Sequence, residues 1–123
     1  MDYITSPNAP AAIGPYSQAI RTGGLLFLSG QIPLDPATGN IAEGGIREQT
    51  AQVLRNIDAV LTEAGLSAAS VVKTTAFLTD MGDFAAFNEV YATYFTGKPA
   101  RSCVAVVALP KGAIVEIEVV AEG

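Results

Sequence analysis

Residues 113 to 121, Ala-Ile-Val-Glu-Ile-Glu-Val-Val-Ala, constrain the fold more than any other stretch of the chain. Successive side chains of a β-strand point to opposite faces. Val115, Ile117 and Val119 therefore share one face, and Ile114, Glu116, Glu118 and Val120 share the other. The first face asks to be covered by helices. Residues 101 to 108 alternate in the same way, with Val104, Val106 and Ala108 on one side and Arg101, Cys103 and Ala105 on the other. The face turned away from the helices is thus expected to mix carboxylates, an arginine and a thiol with apolar residues. Two readings of that face stand. In one it is a solvated sheet face, as antiparallel sheets commonly have. In the other a second subunit covers it and the charged groups line an enclosed site. Ile114, Val120 and Ala105 favour the second, because contiguous exposed apolar area marks an interface.

The rest of the chain supplies what such a sheet needs. Ser17 to Thr22 and Leu25 to Gln31 flank Gly23-Gly24, which reads as a hairpin with a type I′ turn. Ser6-Pro7-Asn8-Ala9-Pro10, Gly14-Pro15 and Pro33 to Asn40 are loops dense in turn residues. From Gly45 to Ala64 the apolar positions Ile46, Thr50, Val53, Leu54, Ile57, Val60, Leu61 and Ala64 recur at steps of three and four, the period of a helix, and Gly65 stops it. Ser70 to Leu78, rich in β-branched residues, reads as a strand. Asp80 then caps a second helix with an apolar face of Phe84, Phe87, Tyr91, Tyr94 and Phe95, ended by Gly97 and Pro99. Arg101 to Ala108 and Ala113 to Ala121 close the chain as two strands, paired either as a hairpin across Leu109-Pro110-Lys111-Gly112 or with strands farther away. The class is α+β: a mixed sheet with both helices on one face. At 123 residues one domain, 1–123, is expected.

Composition removes whole mechanisms. With no histidine, no Ser-His-Asp triad, Cys-His dyad or histidine-ligated metal site can form, and one cysteine makes neither a Cys-rich zinc site nor an intramolecular disulfide. The lone thiol fits a reducing, cytoplasmic setting. Met1-Asp2-Tyr3 lacks the basic start and apolar core expected of a signal peptide, and the apolar runs are too short for a membrane span. Seven Lys and Arg against twelve Asp and Glu provide no field for phosphates, so no nucleic-acid partner is expected.

Several segments resemble the YjgF/RidA family. Ala12-Ile13-Gly14-Pro15-Tyr16-Ser17-Gln18 resembles its N-terminal motif and Leu28-Ser29-Gly30-Gln31-Ile32-Pro33 its second. Phe87-Asn88-Glu89-Val90-Tyr91 fits its second helix. Pro99-Ala100-Arg101-Ser102-Cys103-Val104, followed by Leu109-Pro110-Lys111-Gly112-Ala113 and Val115-Glu116-Ile117-Glu118, resembles its C-terminal signature. The likeness spans about residues 8 to 121. It implies a chorismate-mutase-like fold with a six-stranded mixed sheet and two helices on one face. It also implies a homotrimer whose sheets form a central barrel, with clefts between subunits. The activity implied is hydrolytic deamination of reactive enamine and imine acids, 2-aminoacrylate, 2-iminopropanoate and 2-iminobutanoate, to 2-keto acids and ammonia. Neither cofactor nor metal enters. A ribonuclease or translation inhibitor, and a non-catalytic binder of small acids or chaperone-like member, are the competing functions within the family.

An imine is already an activated electrophile, so a site without histidine can hydrolyse it. Arg101 is the candidate carboxylate clamp, since a guanidinium fork binds carboxylates bidentately; the competing fate is a surface ion pair. The family motif selects Glu116 over Glu118 to hold the attacking water and pass a proton to the departing ammonia, and partial burial would raise its pKa toward that task. Tyr16, after a Gly-Pro turn, would orient substrate or water, or else be a packed aromatic. Ser29 and Gly30 would cradle the substrate carboxylate, glycine allowing close backbone approach. Cys103 lacks an activating histidine and is not expected to be a nucleophile. The resemblance gives it a backbone role toward the substrate nitrogen.

Overall fold

The computed structural model describes residues 1–123. Its elements are β1 (Asp2–Ile4), β2 (Ala19–Thr22), β3 (Leu25–Gln31), α1 (Ile46–Glu63), β4 (Val71–Leu78), α2 (Phe84–Tyr94), β5 (Ala100–Ala105) and β6 (Val115–Glu122). They form one six-stranded sheet in the order β1-β2-β3-β6-β4-β5. All neighbours are antiparallel except β4 and β5, whose parallel pairing requires the crossover that α2 supplies. This is the α+β architecture expected, with α1 and α2 on one face. No helix is long and apolar enough to cross a membrane.

The local signals account for most element boundaries. Gly23 and Gly24 have φ of 57° and 78°, the positive pair that a two-residue type I′ turn demands. At the start of α1 the Glu48 carboxylate accepts a hydrogen bond from the Gly45 N–H, one half of a capping box. Gly65, at φ 77°, ends the helix in the left-handed conformation. Val53, Ile57, Val60 and Leu61 of α1 pack with Phe87 of α2 over Leu26, Leu28, Ala76, Leu78, Val115, Ile117 and Val119 of the sheet, all buried. Fully burying each large aliphatic side chain of this set contributes about 1.5–3 kcal/mol.

Of the two pairings open to the last two strands, the long-range one is found: β6 slots between β3 and β4, and β5 lies on the outer edge beside β4. Three further points differ from the sequence reading. The stretch from Val106 onward is not strand, because only the Val106 N–H, bonded to the Leu78 carbonyl, stays with the sheet before the chain peels away through exposed Val107. Asp80 caps the short 3₁₀ turn Met81–Asp83 ahead of α2, accepting from the Gly82 N–H at 2.8 Å. Finally, β1 was not foreseen; it adds Tyr3 beside Ile20.

The phase of β5 is also opposite to expectation. Its register pairs Arg101 with Thr74 and Cys103 with Ala76, both buried on the helix side. Arg101 and Cys103 therefore lie on the helix face, and Val104, 45% exposed, lies on the other. The helix-free face carries Tyr3, Ile20, Phe27, Val120 and Lys73 as one row in register across five strands, with Glu118, Thr75 and Ser102, then Glu116, Phe77 and Val104, in parallel rows.

Candidate functional site

On the helix-free side a cleft gathers four of the expected residues. Tyr16, Ser29, Gly30 and Glu116 line it together with Glu118, between apolar walls of Ile13, Ile32 and Pro110. Its floor is a β-bulge: the register of β3 against β6 slips between Leu28 and Gln31, so Ser29 and Gly30 occupy the irregularity. Bulges re-aim side chains and backbone in this way beside functional sites.

The N-terminal loop that delivers Tyr16 is latched by Gln18. Its buried amide accepts from the Ser6 N–H at 2.6 Å and donates to the Ser6 and Pro10 carbonyls at 3.2 and 2.9 Å. The Tyr16 hydroxyl accepts from the Ile13 N–H at 3.3 Å, which leaves its own proton for a ligand. The Ser29 hydroxyl donates to the Ser17 carbonyl at 2.6 Å, so it ties β3 to this loop and offers a ligand an acceptor lone pair first.

Glu116 sits half-buried on β6, and burial, with the Glu118 carboxylate adding to it, pushes its pKa above the usual carboxylate range. Its carboxylate lies directly over Gly30. A Cβ at position 30 would come within 2.8 Å of the Glu116 carboxyl carbon, so only glycine leaves the space that the carboxylate occupies.

Behind the cleft walls, α1 carries a buried polar edge that periodicity did not reveal. The Asn56 amide donates to the Ile32 and Leu34 carbonyls at 3.2 and 2.9 Å, and accepts from Gln52 at 2.9 Å. The Gln49 carbonyl oxygen accepts from the Ile114 N–H at 3.0 Å. These amides replace strand partners for the loops entering and leaving the cleft, as buried backbone groups require.

Arg101 and Cys103 are not in this cleft. They lie on the opposite face of the sheet, on the edge strand β5. Arg101 donates to the Asn88 side-chain carbonyl at 2.7 Å and makes no ion pair. Its guanidinium stands over the rings of Phe84 and Tyr91. Cys103 is half-buried, and burial pushes its thiol pKa up against the smaller opposing pull of Arg101. A raised pKa works against the thiolate form. As β5 has a strand neighbour on one side only, its outer backbone edge is open. Sequence reasoning did not single out Asn88, Gln18 or the Asn56 group. For Asn88 a signal existed: it lies four residues after Phe84 and three before Tyr91, on the same helical face.

The chain is similar to known proteins over nearly its whole length. A family model described as endoribonuclease L-PSP matches residues 6–123. A RutC family protein of Pyrococcus horikoshii is 55% identical over 121 residues, covering 98% of this chain and 96% of its own. The mouse protein named 2-iminobutanoate/2-iminopropanoate deaminase is 49% identical over 119 residues, covering 96% of this chain and 88% of its own. The crystal structure of RidA from an Antarctic Psychrobacter superposes with a TM-score of 0.96 at 44% identity, over 100% of both chains.

Proposed function

The chain belongs to the YjgF/RidA family, whose model bears the description endoribonuclease L-PSP, and from that premise we propose that it hydrolyses reactive 2-imino and 2-enamino acids to 2-keto acids and ammonia. The observation that carries this reading is the Glu116 carboxylate, held over Gly30 in a cleft with Tyr16, with a pKa raised by burial. A carboxylate with a raised pKa is a better base toward water than a free one and returns the proton as a weak acid. Water held by Glu116 adds to C2 of the protonated imine while Glu116 accepts its proton, and the C–O bond forms as the C=N π electrons move to nitrogen. The resulting carbinolamine takes the proton from Glu116 onto nitrogen. The C–N bond then breaks, C2–O becomes a carbonyl with loss of the hydroxyl proton to the carboxylate, and ammonia leaves. An enamine acid enters the same path after a proton adds at C3. Tyr16, with its phenol proton uncommitted, orients the water or the carbinolamine oxygen.

The clamp for the substrate carboxylate is Arg101, and one chain cannot bring it to Glu116, because the two lie on opposite faces of the sheet. We place the working site between two copies of the chain, the edge strand β5 of one approaching the cleft of the next, in a homotrimer. The apolar row of Tyr3, Ile20, Phe27 and Val120 on the helix-free face supports that assembly, since such a row in water marks an interface.

The test is a coupled assay in which a threonine dehydratase generates 2-iminobutanoate and keto acid formation is followed. The protein is expected to accelerate it, and Arg101→Ala to abolish the acceleration while the assembly mass is unchanged. Wild-type acceleration by Arg101→Ala defeats the reading. The description of the matching family model favours a second function, RNA cleavage. Two carboxylates in the cleft and a net charge of -5 repel phosphates, so RNA cleavage by purified protein that is lost in Glu116→Gln would be needed to sustain it.

A further inference from the structure

Arg101 stands on an edge strand whose own residues do nothing to orient it; α2 does. Phe84, Asn88 and Tyr91 fall at i, i+4 and i+7, a spacing that lines three side chains along one helical face. The Arg101 guanidinium carbon is 5.4 Å from the centre of the Phe84 ring and 4.9 Å from that of Tyr91, both within cation–π range. Asn88 accepts from Nη1 of the same guanidinium at 2.7 Å. Tyr91 is itself immobilised. Its hydroxyl shares a buried 2.6 Å hydrogen bond with Thr74, the β4 residue paired in register with Arg101, and its ring packs between Phe87 and Phe95 at 5.5 and 4.6 Å.

We propose that Phe84 and Tyr91 are positioning residues for substrate capture, forming an aromatic seat that, with Asn88 at one end, orders the Arg101 guanidinium before a carboxylate arrives. The inference rests on the carboxylate-clamp role given to Arg101 above. A guanidinium has five N–H donors, so the one engaged by Asn88 leaves a fork for the ligand. An unsupported arginine on an edge strand would have to order its long stem on binding. The seat has already done so, and pre-ordering of this kind improves affinity. The rings add no hydrogen bond that competes for the fork, which is why an aromatic seat suits a clamp better than a carboxylate partner would.

The experiment compares the assembled wild type with Phe84→Leu, Phe84→Tyr and Arg101→Ala. It measures the kinetics of imine hydrolysis, binding of 2-oxobutanoate (a stable keto acid product) by calorimetry, and the side-chain NMR signals of Arg101. In the wild type, ring currents should shift the Arg101 Cδ protons upfield and the guanidinium should be ordered. Phe84→Leu, which leaves the Tyr91 ring and Asn88 in place, should reduce the upfield shift and loosen the guanidinium. It should raise KM and the Kd of 2-oxobutanoate about tenfold while kcat changes by less than about twofold, the split expected when binding common to the ground and transition states is lost. Phe84→Tyr, which keeps a ring, should restore the shift, the order, KM and Kd. Wild-type KM and Kd in Phe84→Leu, or a disordered Arg101 in the wild type, overturns the seat. If Arg101→Ala abolishes binding while Phe84→Leu leaves KM and Kd at their wild-type values, the seat alone falls. If Arg101→Ala also binds and turns over like the wild type, the clamp reading falls with it. The Arg101 signals decide the matter in the wild type alone should Phe84→Leu not fold.

Discussion

At position 30 the absence of a side chain does specific work, because the Glu116 carboxylate fills the volume a methyl group would take. In Gly30→Ala the atom displaced is the end of a flexible side chain, so the fold is expected to survive while the carboxylate moves. A misplacement near 1 Å costs about 100-fold in rate. The imine assay alongside a thermal melt checks both halves of that expectation. The second residue-scale device is the pair Glu116 and Glu118. Burial raises the Glu116 pKa and the neighbouring charge raises it further. Glu116 must be ionised to take a proton from water, so activity should fall as pH drops through its raised pKa. Removing the like charge in Glu118→Gln lowers that pKa, and the acid limb of the rate profile should move to lower pH. A limb that stays in place, or moves upward, would contradict the assignment of Glu116 as the base.

At the scale of elements, helix α1 does two jobs on two edges. Its apolar face fills the core, and that face is readable because eighteen residues repeat a single period over several turns. Its buried edge of Gln49, Gln52 and Asn56 holds the loops that wall the cleft. The sequence reading did not single these residues out, since nothing local says that loops distant in the chain will lie on them. Asn56→Ala leaves the buried Leu34 carbonyl unpaired, while the Ile32 carbonyl keeps the Leu34 N–H, and should cost about 1–3 kcal/mol, seen as a lower urea midpoint at unchanged slope. The phase of β5 failed for a related reason. In β6 the contrast between Val or Ile and Glu is strong enough to declare the inner face. In β5 the apolar Val104 suggested the wrong side, because the aliphatic stem of Arg101 and a half-buried thiol satisfy the helix face equally well.

For the whole molecule, the separation of Arg101 from Glu116 makes a sharp statement about assembly. Arg101→Ala and Glu116→Gln should each be inactive. If the site lies between subunits, unfolding the two together and refolding them creates clefts in which both residues are native. Random mixing makes about a quarter of the clefts of this kind in a closed cyclic assembly. Recovery of roughly that fraction of wild-type activity supports the composite site, and no recovery places both residues in one chain. Much of this was legible in the chain itself. Helix period, the Gly23-Gly24 turn, the inner face of β6 and the α+β class all follow from spacing within a few residues, while the choice of candidate residues came mainly from the resemblance to the YjgF/RidA family. The lack of histidine narrowed the chemistry to what an arginine, a carboxylate, a phenol and backbone groups can do. Tertiary structure alone decided the place of β6 between β3 and β4, the face of β5, the fit of Glu116 over Gly30, and the seat that Phe84, Asn88 and Tyr91 make for Arg101. The physical reason is one of range. Periodicity and turn propensity act over one or two turns of chain, whereas a strand's neighbours, and hence the face each side chain takes, are set by contacts between residues tens of positions apart.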